Sequence, residues 1–197
     1  MVITYHGGNS FKVQSGELTV LIDPENQRSF KGAAVIINTV RPTLTEPPAA
    51  PGAEEEHAVP FWVDHQGEYE VSGIAVHGWT TEWVRDEEHT AYRLTLDGID
   101  LAVLGHLAKE PGPAVQAALA GADVLIVPAG GKPFLPVPAA AKLIRQIEPA
   151  LVIPSLAEDM KPFLKEVGAQ KTAPEEKLTL KRKDLVPKAM TLVWLTS

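Results

Sequence analysis

Along the first part of the chain, apolar and polar positions alternate with a period of two, the spacing of half-buried strands. Residues 2–5 and 10–14 follow this pattern, and Leu18-Thr19-Val20-Leu21-Ile22 returns after the turn Ser15-Gly16-Glu17. Asp23-Pro24 ends the returning strand, and a following proline drives Asp23 toward extended geometry. Residues 33–38 are apolar up to Asn38, as in a strand covered on both faces. Between Thr39 and Pro60 the pattern lapses. Five prolines and the run Glu54-Glu55-Glu56 predict an exposed loop there, flexible over residues 45–60.

Strand periodicity resumes at Phe61-Trp62-Val63 and Tyr69-Glu70-Val71, and continues through residues 74–79, 91–96 and 101–104. Ser72-Gly73, Asp86-Glu87-Glu88 and Asp97-Gly98 separate these runs, which predicts an antiparallel meander. Beyond residue 110 the period changes to that of helices. Residues 113–119, 137–147 and 160–167 read as helices, with Pro113 suited to a first turn and Pro149 and Gly168 as stops. Buried strands at residues 123–128 and 150–154 alternate with them, and residues 177–180 and 191–195 close the chain as strands. Antiparallel strands followed by strand–helix alternation imply an α/β (α+β) fold. Its two mixed sheets pack face to face, flanked by helices, as an αββα sandwich in a single domain over residues 1–197.

Composition narrows the function classes. With 45% hydrophobic and 22% charged residues, the 197-residue chain can bury a core, so global disorder is excluded. A net charge of −7 argues against affinity for nucleic-acid phosphates or anionic membranes. The absence of cysteine removes disulfides, thiolate metal sites and cysteine nucleophiles. The opening Met1-Val2-Ile3-Thr4-Tyr5 has no basic n-region or apolar h-region, so no signal peptide is expected; no apolar run reaches the ~18 residues of a membrane span, and a cytoplasmic protein is expected.

Six stretches together carry a resemblance. They are residues 3–11, Leu21-Ile22-Asp23-Pro24, Gly67-Glu68-Tyr69-Glu70-Val71, Leu104-Gly105-His106-Leu107, residues 123–131 and Ile153-Pro154-Ser155-Leu156. In this order they resemble the metallo-β-lactamase fold hydrolases, in particular the small bacterial predicted zinc-dependent hydrolases. The resemblance implies a metallo-β-lactamase-like sandwich and, for the family, a zinc-bound hydroxide as nucleophile. It also places the ligand positions. The motif T-H-x-H-x-D-H puts them on Thr39, Arg41, Thr43 and Leu44, the bridging aspartate on His106, the last histidine on Leu156 and a first-turn histidine on Asn9. Zinc needs three or four N, O or S donors, so leucine, arginine and threonine at these positions do not supply the family's site. No cofactor is therefore expected.

Two readings of Arg41 stay open. It replaces the metal as counter-charge to Asp23 and Glu68 in a pocket shared with His106, or it is exposed on a loop. A rebuilt metal site from His6, His65 and His106 is the alternative to ordinary surface histidines. Gly130-Gly131-Lys132 lacks P-loop spacing, Lys181-Arg182-Lys183 reads as a solvated cluster, and Ser10 and Ser155 lack a triad pattern. The expected function is a non-catalytic binding or structural module. The alternative is a hydrolase of phosphodiester, ester or lactam type with a rebuilt or metal-free site. No partner can be named, and sheet edges or the Trp79–Trp83 region leave room for a homo-oligomer.

Overall fold

A computed structural model describes residues 1–25, 32–41 and 60–197. The N-terminal part contributes β1 (Val2–Tyr5), β2 (Phe11–Ser15), β3 (Leu18–Ile22), β4 (Val35–Ile37), β5 (Val40–Arg41) and β6 (Phe61–Val63). The meander follows as β7 (Gly67–Val71), β8 (Ile74–Val84), β9 (Glu87–Leu96) and β10 (Ile99–Val103). Then come α1 (Pro113–Leu119), β11 (Val124–Pro128), α2 (Val137–Ile147), β12 (Leu151–Ser155) and α3 (Lys161–Glu166). Four short strands close the chain: β13 (Pro174–Glu175), β14 (Lys177–Thr179), β15 (Thr191–Leu192) and β16 (Trp194–Leu195).

Two large mixed sheets result, as the sequence predicts. One runs β14-β1-β2-β3-β4-β6; the other runs β15-β12-β11-β10-β9-β8-β7, with β5 added against β9. Their facing sides interdigitate. Ile3, Val13, Val20, Ile22, Val35 and Ile37 of the first sheet meet Val76, Tyr92, Leu94, Leu101, Ile126 and Ile153 of the second, all buried. Period-two alternation puts these residues on one face of each strand, so register and core are fixed together.

The outer face of the second sheet carries a separate apolar layer. Ala91, Ala102, Leu125, Val127 and Val152 pack under Leu119 of α1, Leu143, Ile144 and Ile147 of α2, and Phe163 of α3. Helical spacing on α2 aims Ala140, Leu143, Ile144 and Ile147 at the sheet, and Glu148 ends the helix with φ of 53°. All three α-helices among the described residues lie on this side.

Four local expectations are corrected. β8 and β9 run to Val84 and from Glu87, so the turn is Arg85-Asp86, both in the left-handed region, and not Asp86-Glu87-Glu88. Val40 and Arg41 are a short strand instead of loop, because their backbone pairs with His89 and Glu88. The closing strand breaks at Val193 into β15 and β16, which pair with different neighbours. Asp23 is not extended: its φ is 41°, held by its N–H donating to the Ile37 carbonyl (2.8 Å). The flexible loop expected at 45–60 lies outside the described residues except for Pro60.

Leu94 sits wholly buried between the sheets. Truncating it to alanine leaves a cavity that two rigid sheets cannot collapse into. Leu94→Ala is expected to cost about 2–5 kcal/mol in urea unfolding, with the m-value unchanged.

Candidate functional site

The candidate site forms where several strands end together. Asp23 follows β3, Thr39 follows β4, His106 follows β10 and Leu156 follows β12. Parallel pairing of β3 with β4, of β10 with β11 and of β11 with β12 brings these carboxyl ends to one rim. That is where ligands gather in α/β sheets. Asn9 joins them from the turn after β1, closed by Ser10 N–H donating to the Gly7 carbonyl (2.8 Å).

Asp23 is the centre of the cluster, with its side chain 13% exposed. Its Oδ1 accepts from the Thr39 backbone N–H, and its Oδ2 accepts from Asn9 Nδ2 and from the Thr39 hydroxyl, each at 2.6 Å. His106 Nδ1 lies 3.0 Å from Thr39 Oγ1 and 3.7 Å from Asp23 Oδ2. A hydroxyl has one proton. With that proton given to an ionised Asp23, His106 Nδ1 carries the hydrogen and donates to Thr39 Oγ1. The imidazole's free lone pair is then on Nε2, which has no partner among the described residues.

Burial sets the charge states. It pushes the Asp23 carboxyl above the usual carboxylate range, against the neighbouring His106 and the hydrogen bonds from Thr39 and Asn9. Burial also lowers the His106 pKa; Asp23 opposes this and His89 adds to it. His89 is the second histidine of the network: its Nδ1 lies 3.2 Å from the His106 carbonyl and 3.9 Å from Glu82 Oε1. A bulge between Thr80 and Glu82 turns Glu82 to the side of His89, where the carboxylate accepts from Ala108 N–H at 2.9 Å.

Close backbone approach holds the cluster together. A Cβ on Gly105 would stand 2.3 Å from Thr39 Cβ, and one on Gly130 would stand 2.0 Å from the Leu156 carbonyl oxygen. Leu156 has φ of 53° and donates its N–H to the Gly8 carbonyl (2.9 Å). A branched apolar residue in that region is strained by roughly 1–3 kcal/mol, and such residues gather at functional sites. Phe134 flanks His106 with its ring centroid 5.8 Å away.

Asn9, Asp23, Thr39 and His106 are thus brought together; the other expected pocket residues are not. Arg41 does not reach Asp23 or Glu68. Antiparallel pairing with β9 sends its half-exposed side chain to Asp64, at 3.7 Å. Glu68 is 81% exposed on β7 and faces His77 at 3.7 Å. The counter-charge reading of Arg41 is therefore replaced by neutral hydrogen-bond donors on Asp23. Thr43 and Leu44 lie outside the described residues. The hub role of Thr39, and the pair Glu82 and His89, escaped sequence reasoning. A threonine carries no signal of which groups its hydroxyl bridges, and the bulge that aims Glu82 leaves none in the residue pattern.

Among the described residues the donor set does not fit zinc. Among the described residues no group of three or more histidine, cysteine, aspartate or glutamate side chains is placed to hold a metal, and His6, His65 and His106 form none. Asp23 already has three donors, and Leu156 has no donor atom.

A family model described as Beta-lactamase superfamily domain matches residues 2–155. The chain belongs to that family. A search of curated proteins found no match. Among solved structures, a candidate Zn-dependent hydrolase of the metallo-beta-lactamase superfamily from Thermotoga maritima is 21% identical, with a TM-score of 0.74, covering 98% of this chain and 97% of that one. The metallo-beta-lactamase fold protein YhfI from Bacillus subtilis is 10% identical over 99% and 96% of the two chains, TM-score 0.66. Igni18, a metallo hydrolase from Ignicoccus hospitalis, is 15% identical over 91% and 99%, TM-score 0.64. At these identities the likeness shows the fold alone.

The lowered His106 pKa gives a pH signature. The unfolded chain takes up a proton near pH 6.5, the ordinary value for a histidine, before the folded chain does, so stability falls as pH drops through that point. His106→Asn keeps a donor for Thr39 but cannot titrate. Denaturant unfolding between pH 7.5 and 5.5 should show a smaller pH dependence in the variant than in the parent (about two pH units, spanning the histidine range).

Proposed function

We propose that this chain is a metal-free member of the beta-lactamase superfamily that works as a non-catalytic binding or structural module. One observation carries the reading: the buried Asp23 carboxylate is satisfied by Asn9 Nδ2 and by the Thr39 N–H and hydroxyl, each at 2.6 Å. A carboxylate in this setting needs compensation, and hydrogen bonds to the ionised form supply it. The hydrolase names of the Thermotoga and Ignicoccus proteins refer to metal chemistry that these donors do not support here. Among the described residues no helix is long and apolar enough to cross a membrane, and we place the protein in the cytoplasm as part of the same proposal.

A second reading rests on the chain of hydrogen bonds from His106 through Thr39 to Asp23. It fixes one tautomer and leaves Nε2 as a base, which is what a metal-free hydrolase would use.

Elemental analysis of protein purified without chelators tests the first reading. Less than about 0.1 metal per chain is expected, and neither EDTA nor zinc should move the thermal midpoint by more than about 1 °C, whereas a bound metal at 100-fold over its Kd adds about 2.7 kcal/mol. One zinc, manganese or iron per chain contradicts it. Turnover of phosphodiester, thioester or lactam reporters that disappears in His106→Asn would favour the second.

A further inference from the structure

Away from the rim, toward the amino end of β12, the helical layer does not close over the second sheet. A cavity of about 360 Å³ remains between α2, α3 and β15. Its wall is aliphatic: Ala141 and Ile144 of α2, Val152 of β12, Val167 and Ala169 beyond α3, and Leu192 of β15. Small-molecule sites have this size and this kind of lining, with a few polar groups that set orientation.

The mouth of the cavity carries opposite charges. Arg145, in the last turn of α2, and Glu166, the last residue of α3, both line it. Both are exposed, and neither side chain forms an ion pair or a hydrogen bond among the described residues. Other charges on α2 are paired, Lys142 with Glu110 and Glu148 at its end with Lys188. The helix dipole accounts for Arg145, because a cation is favoured at a carboxyl end. It does not account for Glu166, an acid at that same end of its own helix. Met190 stands over the opening with its φ at 50°, held there by its N–H donating to the Pro149 carbonyl (3.0 Å), and is 39% exposed. A methionine fixed in that backbone region beside a cavity is an adaptable apolar cover.

We propose that this cavity binds a free α-amino acid with a branched aliphatic side chain. The carboxylate meets Arg145, the ammonium meets Glu166, and the side chain enters between Ile144, Val152 and Leu192. Only a zwitterion satisfies both charges at once. A simple acid would bring its carboxylate toward Glu166, and a simple amine would bring its cation toward Arg145, so each is selected against. Binding breaks no covalent bond and moves no proton. Val152 lies at the end of β12 away from Leu156, so the inference does not depend on whether the rim holds a metal.

The test titrates leucine into the full chain, up to about 20 mM, and follows the methyl resonances of Ile144, Val167, Met190 and Leu192 by NMR. Saturable shifts of these methyls are expected, with the His106 ring unmoved. 4-Methylpentanoate lacks the ammonium and 3-methylbutylamine lacks the carboxylate. Each should bind about 10- to 100-fold more weakly, the loss of one charge-assisted contact. Glycine, with both charges and no side chain, should not bind. Arg145→Gln and Glu166→Gln, both at exposed positions, should each weaken leucine by the same factor at an unchanged thermal midpoint. Glu166→Gln should leave 4-methylpentanoate bound no more weakly than in the parent. Absence of saturable binding, glycine or either analogue bound as tightly as leucine, or leucine bound equally well by both variants would each overturn the inference. Where a variant does not fold, the analogue series on the parent protein decides.

Discussion

A buried carboxylate without compensation is not tolerated in a folded core, and in this protein that constraint falls on Asp23. Its oxygens are met by an amide, a backbone N–H and a hydroxyl, and a histidine lies 3.7 Å away. The residues that carry these groups, Asn9, Thr39 and His106, arrive from different strand ends. The sandwich can close its rim only if β1, β3, β4 and β10 deliver Asn9, Asp23, Thr39 and His106 to the same place. Charge-assisted hydrogen bonds are worth more than neutral ones, and breaking one strands a buried charge. This is why a single threonine takes on a structural weight that its size does not suggest.

The sheets provide the rigidity that the cluster needs. Ile22 and Ile37, buried directly before Asp23 and Asn38, anchor the two strands that carry the carboxylate and its main donor. Gly105 lets the β10 exit loop approach Thr39 so closely that a side chain there would collide with it. Tyr92, wholly buried, donates its hydroxyl to the Asn38 carbonyl at 3.2 Å and ties the same segment to β9. Packing, close approach and hydrogen bonding therefore converge on the few residues after β4.

Much of this architecture was legible in the residues. Period-two runs gave the strands, helical spacing gave α2, and the ordered motifs gave the family and the absence of its ligands at Thr39 and Leu156. What could not be read was partnership. Arg41 is a cation in the expected place, yet a two-residue pairing with β9 points it at Asp64. Glu68 sits in a family motif, yet strand alternation turns it to solvent. Proline after Asp23 argued for extended backbone, and local hydrogen bonds overrode it. Sequence specifies which side chains exist near a rim; register and bulges decide which of them meet.

The claim at the centre is that Asp23 is held by protein donors, Thr39 chief among them. A double-mutant cycle of Asp23→Asn and Thr39→Val, measured by urea unfolding in EDTA, addresses it directly. Coupling of about 1–3 kcal/mol is expected, because each substitution removes the interaction that gives the other its cost. Additive effects, within about 0.3 kcal/mol, would contradict the account.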